Sequence, residues 1–113
     1  MMVKGNETLL SMLFYNLIEN AIKACREGGT VIIYHTDNQI VIEDNGKGMT
    51  REQILHITEP FYRTDKSRSR AEGGAGLGLA LCQQIIHTHK AQMQFESEPE
   101  KGTRIFIKFT SWQ

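Results

Sequence analysis

The chain has 113 residues, 40% of them hydrophobic, and 13 basic against 13 acidic side chains, so its formal net charge is zero. That length fits one domain with a real core, burying about two-thirds of the unfolded surface, and the balanced charge excludes a global electrostatic grip on nucleic acid or an acidic membrane. Two lone cysteines, no signal-peptide pattern and no apolar run of about 18 residues fit a soluble chain in a reducing compartment.

Asn6 is placed to cap a helix with Glu7 in its first turn. The helix is predicted to run to about Glu27 and to stop at Gly28-Gly29. At about 100° per residue, Leu10, Leu13, Phe14, Leu17, Ile18, Ala21 and Cys25 cover one broad apolar arc. Asn16, Asn20 and Lys23 fall within about 60° of one another at the border of that arc. One Asn there reads as a solvated flank. Two Asn a turn apart cost helix propensity, and with a Lys they form a face suited to a metal ion and phosphate.

Thr30 to Thr36 reads as a strand, Asp37-Asn38 as a two-residue turn, and Gln39 to Glu43 as the return strand. The return strand delivers Asp44 into Asp44-Asn45-Gly46-Lys47-Gly48-Met49. A carboxylate at a strand end beside bare glycine backbone is a good acceptor for an amino group, although Asp-Asn-Gly is also ordinary turn chemistry. Thr50 opens a second helix, with Gln53 completing a capping box. Ile54, Leu55 and Ile57 are its apolar positions, and Pro60 ends it.

The stretch from Thr58 to Gly73 is polar, basic and irregular, with Phe61 and Tyr62 as its large apolar groups. Its length suggests a functional lid or a disordered segment; a nucleic-acid patch is disfavoured by the balanced charge. Gly73 to Gly78 then runs into a third helix, predicted from Leu79 to about His89, and glycine-rich backbone entering a helix N-terminus is an anion site. It is neither a Walker loop, because Leu79 follows Gly78, nor a dinucleotide fingerprint, because no strand precedes it. Two strands close the chain, Ala91 to Phe95 and Thr103 to Phe109, joined by a turn from Glu98 to Gly102. The four histidines do not suggest zinc: His87 and His89 do not share a helix face, His35 lies on a strand and His56 on the short helix.

Three stretches in order, Asn16-Leu-Ile-Glu-Asn20-Ala-Ile-Lys23, Asp44-Asn-Gly-Lys-Gly48 and Gly74-Ala-Gly-Leu-Gly78-Leu-Ala80, resemble the ATP-binding domain of sensor histidine kinases. Those domains belong to the Bergerat-fold ATPases, with DNA gyrase, mismatch-repair ATPases and certain chaperones. Glu59-Pro-Phe-Tyr-Arg63 and Gly76-Leu-Gly-Leu-Ala80 look like the kinase branch in particular.

The resemblance implies an α+β fold for residues 1–113: a two-layer sandwich with a mixed, mostly antiparallel sheet and three helices on one face. It implies ATP and Mg²⁺ as ligands. Asp44 would accept from the adenine amino group, Gly46, Gly48 and Met49 would line the adenine pocket, and Ile57 would lie over the ring. Asn20 would coordinate Mg²⁺ with help from Asn16, Lys23 and Arg63 would touch phosphates, and Lys66 would join them when the lid closes. Phe61, the backbone of Gly74, Ala75, Gly76, Leu77, Gly78 and Leu79, and Thr103 on the closing strand complete the implied ATP site, with Asn16, Lys23 and Arg63 as its catalytic members.

The implied partners are a histidine-bearing dimerisation and phosphotransfer domain and a downstream response regulator, with no nucleic acid and no direct membrane contact. The implied location is cytoplasmic, whether or not the parent protein is anchored in the cell membrane. Two departures stand out: Ala24 follows Lys23 where many relatives carry an aromatic, and little precedes the first helix, so an edge strand usual in relatives is expected to be absent or truncated. Rival readings are an anti-sigma-type serine kinase or other Bergerat ATPase, and a degenerate module that binds nucleotide and signals by contact.

Overall fold

Strict alternation of apolar and polar residues marks the strand Gln92–Glu98, whereas the strands Val31–Thr36 and Gln39–Asp44 carry continuous apolar runs. The computed structural model describes residues 5–25, 27–36, 38–57 and 78–109. Four strands, β1 (Val31–Thr36), β2 (Gln39–Asp44), β3 (Gln92–Glu98) and β4 (Gly102–Lys108), form one sheet in the order β1-β2-β4-β3. Three helices, α1 (Glu7–Ala24), α2 (Arg51–His56) and α3 (Gly78–Thr88), complete an α+β sandwich. Every pairing is antiparallel, so among the described residues the sheet is not mixed. The physical reason is the return strand: β4 folds back from β3 and fills the slot beside β2, which keeps the two parallel strands from touching.

Rows of the inner face follow the register. Ile40 stands opposite Ile107, which stands opposite Met93, and Ile42, Ile105 and Phe95 form the next row. Leu13, Leu17 and Ala21 from α1 and Cys82, Ile85 and Ile86 from α3 close over Ile42, Ile105, Ile107 and Phe109. Each fully buried Leu or Ile contributes roughly 1.5–3 kcal/mol, so this cluster is the main source of stability. Burial pushes the Cys82 thiol up to about 12, which leaves it a small apolar core group rather than a reactive one.

Both long helices are fixed at their ends. The Asn6 side chain accepts from the Leu9 N–H at 3.0 Å, as the sequence predicts. The Asn6 N–H donates to Nε2 of His89 at 3.0 Å, and Nδ1 of His89 donates to the Ile85 carbonyl at 2.8 Å. His89 thus ties the start of α1 to the end of α3.

Several element limits differ from the sequence reading. The first helix stops at Ala24, not near Glu27, because Cys25 turns extended (φ −76°, ψ 147°) and its N–H bonds back to the Ile22 carbonyl. The Ala24 carbonyl is instead taken by the Lys47 N–H at 3.0 Å, so a distant loop ends the helix before the glycines can. The third helix begins at Gly78 and ends at Thr88. β3 continues past Phe95 to Glu98, and β4 spans Gly102–Lys108. The capping box of α2 forms, with Thr50 and Gln53 bonded reciprocally, yet no side chain of this helix is buried and Leu55 is 72% exposed. Its apolar positions therefore do not join the core.

Candidate functional site

Asp44 closes β2 and is one of two buried polar groups among the described residues, the other being Thr103 directly opposite it on β4. Its Oδ1 accepts from the Gly46 N–H at 2.8 Å. Burial raises its carboxyl above the usual aspartate value; backbone donors at Gly46 and Thr103 pull it back, and neighbouring Glu43 adds to the rise. A buried carboxylate stays tolerable only when hydrogen-bonded, and these donors leave it an acceptor suited to a donor-bearing ligand.

The loop that follows is locked from two sides. On the helix side, Gly46 has no room for a side chain, because a Cβ there would meet the Ala24 carbonyl and sit 2.9 Å from Asp44 Oδ1. Asn45 reaches back the other way: its Oδ1 accepts from the Thr30 N–H at 2.8 Å. On the sheet side, Gly48 adopts φ 68°, and a Cβ would meet the Glu98 carbonyl. The Lys47 carbonyl accepts from the Glu100 N–H at 2.7 Å. The Met49 N–H donates to Oγ of Ser97 at 2.8 Å, and that hydroxyl also bonds the Gly102 carbonyl and Oγ1 of Thr103, both at 2.8 Å.

Ser97 is missing from the sequence reading, which ends the strand at Phe95. The signal was present: the alternation through Met93 and Phe95 continues to Ser97 on the inner face.

The expected polar stripe of α1 lies half-exposed, with Asn16 and Asn20 of intermediate burial and Lys23 exposed. Nδ2 of Asn16 donates to the Met12 carbonyl at 2.8 Å. Its Oδ1 lies 3.5 Å from where a Cβ on Gly78 would stand, which puts the stripe beside the N-terminus of α3. Lys23 pairs with Glu19 at 3.2 Å. The other end of the stripe meets the loop through the Ala24 carbonyl and Lys47. One helix flank therefore runs from the positive end of α3 to the Asp44 loop, a span of about 12 Å for eight residues.

Met49 is buried and Ile57 half-buried, at the entry and exit of α2, and Gly78 and Leu79 open α3. Phe61, Arg63, Lys66, Gly74, Ala75, Gly76 and Leu77, and with them the expected lid, lie outside the described residues. Among the described residues no helix is long and apolar enough to cross a membrane.

The arrangement is a buried carboxylate acceptor at one end, a helix N-terminus suited to an anion at the other, and a strip of amide oxygens and a lysine between them. Comparison with known proteins places the chain in a family. Residues 5–112 match the family described as histidine kinase-, DNA gyrase B-, and HSP90-like ATPase. The chain is 42% identical over 108 residues to the sensor histidine kinase RppB of Synechocystis, covering 92% of this chain and 24% of that protein. It is 35% identical over 115 residues to the phosphate regulon sensor protein PhoR of Pseudomonas aeruginosa, covering 98% of this chain and 26% of that protein. The solved structure of the mycobacterial sensor histidine kinase MprB superposes with a TM-score of 0.79 at 29% identity, covering 95% of this chain and 75% of that one. The chain thus spans about a quarter of the length of these curated relatives.

Proposed function

Because the chain belongs to the histidine kinase-, DNA gyrase B-, and HSP90-like ATPase family, we propose that it binds Mg-ATP and donates the γ-phosphoryl group to a histidine on a separate dimerisation and phosphotransfer domain, for onward passage to a response regulator. The observation that carries this reading is the buried Asp44 acceptor joined, along one helix flank, to the N-terminus of α3.

Asp44 accepts from the adenine amino group, and the closely packed backbone of Gly46, Gly48 and Met49 forms the base-facing wall, with Ile57 over the ring and Thr103 beside it. The triphosphate lies along the α1 stripe towards Gly78 and Leu79, where free backbone N–H groups and the helix dipole favour negative charge. Phosphoryl transfer asks the protein mainly for positioning and charge neutralisation, and Lys23 supplies a cation beside that path. The stripe fits Mg²⁺: Asn16 commits its nitrogen to Met12 and keeps its oxygen towards Gly78, and Asn20 presents a second amide on the same face. Hard oxygen ligands used sparingly, with water and phosphate completing the shell, suit this ion. When bound, Mg²⁺ neutralises phosphate charge. The family resemblance adds Phe61, Arg63, Lys66 and the backbone of Gly74 to Leu77.

The test is calorimetric titration of the folded Asp44→Ala variant with Mg-ATP. Loss of a hydrogen bond to a charged group costs roughly 1.5–3 kcal/mol, or about ten- to a hundred-fold in affinity. Unchanged affinity in a folded variant removes Asp44 from the site. The 113-residue chain by itself is expected to bind nucleotide without labelling itself from radiolabelled ATP. Its histidines are followed by Thr36, Ile57, Thr88 and Lys90, none of them an acid able to take the proton from an attacking imidazole. Acid-labile, stoichiometric label on this chain refutes the division of labour.

A further inference from the structure

We infer that Ser97 is a specificity-determining residue: it commits the hydroxyl proton of Thr103, so that Thr103 can only accept hydrogen bonds from the base. The inference rests on the nucleotide reading above and deepens it.

The reasoning is proton bookkeeping. A serine hydroxyl has one proton to donate and two lone pairs to accept with. Ser97 Oγ has three partners, each at 2.8 Å: the Met49 N–H, the Gly102 carbonyl and Oγ1 of Thr103. The first can only donate and the second can only accept. The serine proton therefore goes to Gly102, one lone pair takes the Met49 N–H, and the remaining lone pair must take the Thr103 proton. With its proton spent on Ser97, Thr103 presents lone pairs alone to anything else.

Thr103 is 8% exposed and stands opposite Asp44 in the β2–β4 register, on the same inner face. The corner at the end of β2 therefore holds two acceptors and no side-chain donor from this pair. Such a corner accepts a 6-amino purine and rejects a 6-oxo purine, whose oxygen would meet lone pairs without a proton between them. Discrimination of this kind, where a polar group is left unpaired, is stronger than discrimination by size. Asp44 supplies part of it by charge. Ser97 supplies the rest by denying Thr103 the rotation that would turn its proton towards an oxo group.

The experiment compares ATP with inosine triphosphate, which carries an oxo group at position 6, by calorimetry on the 113-residue chain and on Ser97→Ala, Thr103→Val and the double variant. Ser97→Ala frees the Thr103 proton, and the preference for ATP over inosine triphosphate is expected to fall about five- to ten-fold. In the Thr103→Val background the same Ser97 change is expected to leave the preference within about two-fold, because the group it acts through is gone. A general loosening of the loop weakens both nucleotides together and does not move the ratio. An unchanged ratio in Ser97→Ala that still binds ATP overturns the inference, as does an equal change in both backgrounds. If Ser97→Ala does not fold, the wild-type chain decides: the Thr103 hydroxyl proton is expected to show a nuclear Overhauser contact to the Ser97 β protons, and its absence from Ser97 overturns the assignment. Failure of the wild-type chain to bind ATP removes the nucleotide reading and this inference with it, whereas ATP binding without the ratio change removes this inference alone.

Discussion

The Asp44–Met49 loop and the Asn16–Lys23 stripe are neighbours built on opposite plans. In the loop the backbone does the positioning: Lys47 is bonded through both its N–H and its carbonyl, Met49 through its N–H, and Gly46 and Gly48 lie where no Cβ fits. On the stripe the working groups are side chains of an amphipathic helix, partly buried at Asn16 and Asn20 and exposed at Lys23, with local contacts such as Asn16 to Met12 and Lys23 to Glu19. The difference teaches where each kind of recognition belongs. On the proposed reading, acceptors for a base must not move and are fixed by surrounding structure, whereas groups for a flexible triphosphate and its ion must adjust and stand on a surface.

The largest effect is expected in the loop. Gly48→Ala forces a Cβ against the Glu98 backbone at a positive φ, and strain plus overpacking there are worth about 2–4 kcal/mol. Urea denaturation is the measurement; a loss under about 1 kcal/mol would mean the loop is not held as described.

Next comes Asp44→Asn, which keeps an oxygen to accept from Gly46 but removes the charge. ATP affinity is expected to fall by about ten-fold or more, while stability at neutral pH holds or rises. The sign follows from the raised carboxyl. A folded state that binds this proton more tightly than the unfolded chain is penalised where the group is ionised, and the penalty fades as pH falls through the raised folded-state value. The stability advantage of Asn is thus expected at neutral pH and shrinks in acid, and wild-type ATP affinity declines on acidification starting above the ordinary aspartate range. Denaturation and titration from neutral pH down to about pH 3 check both, spanning the usual aspartate value near 3.9. Equal stabilities at neutral pH would remove the desolvation cost.

The stripe is expected to give the small effects on stability. Asn20→Ala should stay within about 0.5 kcal/mol of the parent, while the Mg²⁺ dependence of nucleotide binding is lost. ATP titrations with and without Mg²⁺ test this, and an intact Mg²⁺ dependence takes Asn20 out of the ion site. Smallest of all is the stability change of Lys23→Ala: its pair with Glu19 is exposed, so the change is expected to be slight and to vanish in concentrated salt. A salt-insensitive loss of thermal stability would show the stripe to be structural.

The sequence carried much of this, and the misses have one cause. Local signals were legible: the Asn6 cap, the Thr50–Gln53 box, the antiparallel step from Thr36 to Gln39, and a carboxylate at the end of β2. What was not legible depends on contacts far apart in the chain. The end of α1 is set by Lys47, more than twenty residues on. Leu55 has the residue type of a core position but stands exposed. Ser97 reads as one more polar residue before a turn, and its role emerges only when the β3–β4 hairpin is laid beside the Met49 loop. The antiparallel character of every pairing likewise depends on β4 threading between β2 and β3, which alternation does not encode.

The captured Ala24 carbonyl has a mechanical consequence. A helix whose final carbonyl belongs to the Asp44 loop, and whose Asn16 rests beside the first residue of α3, behaves as a push-rod between two bearings. An α-helix resists compression along its axis because each backbone hydrogen bond lies nearly parallel to it. That stiffness fixes the distance along this flank between the first residue of α3 and the Asp44 loop.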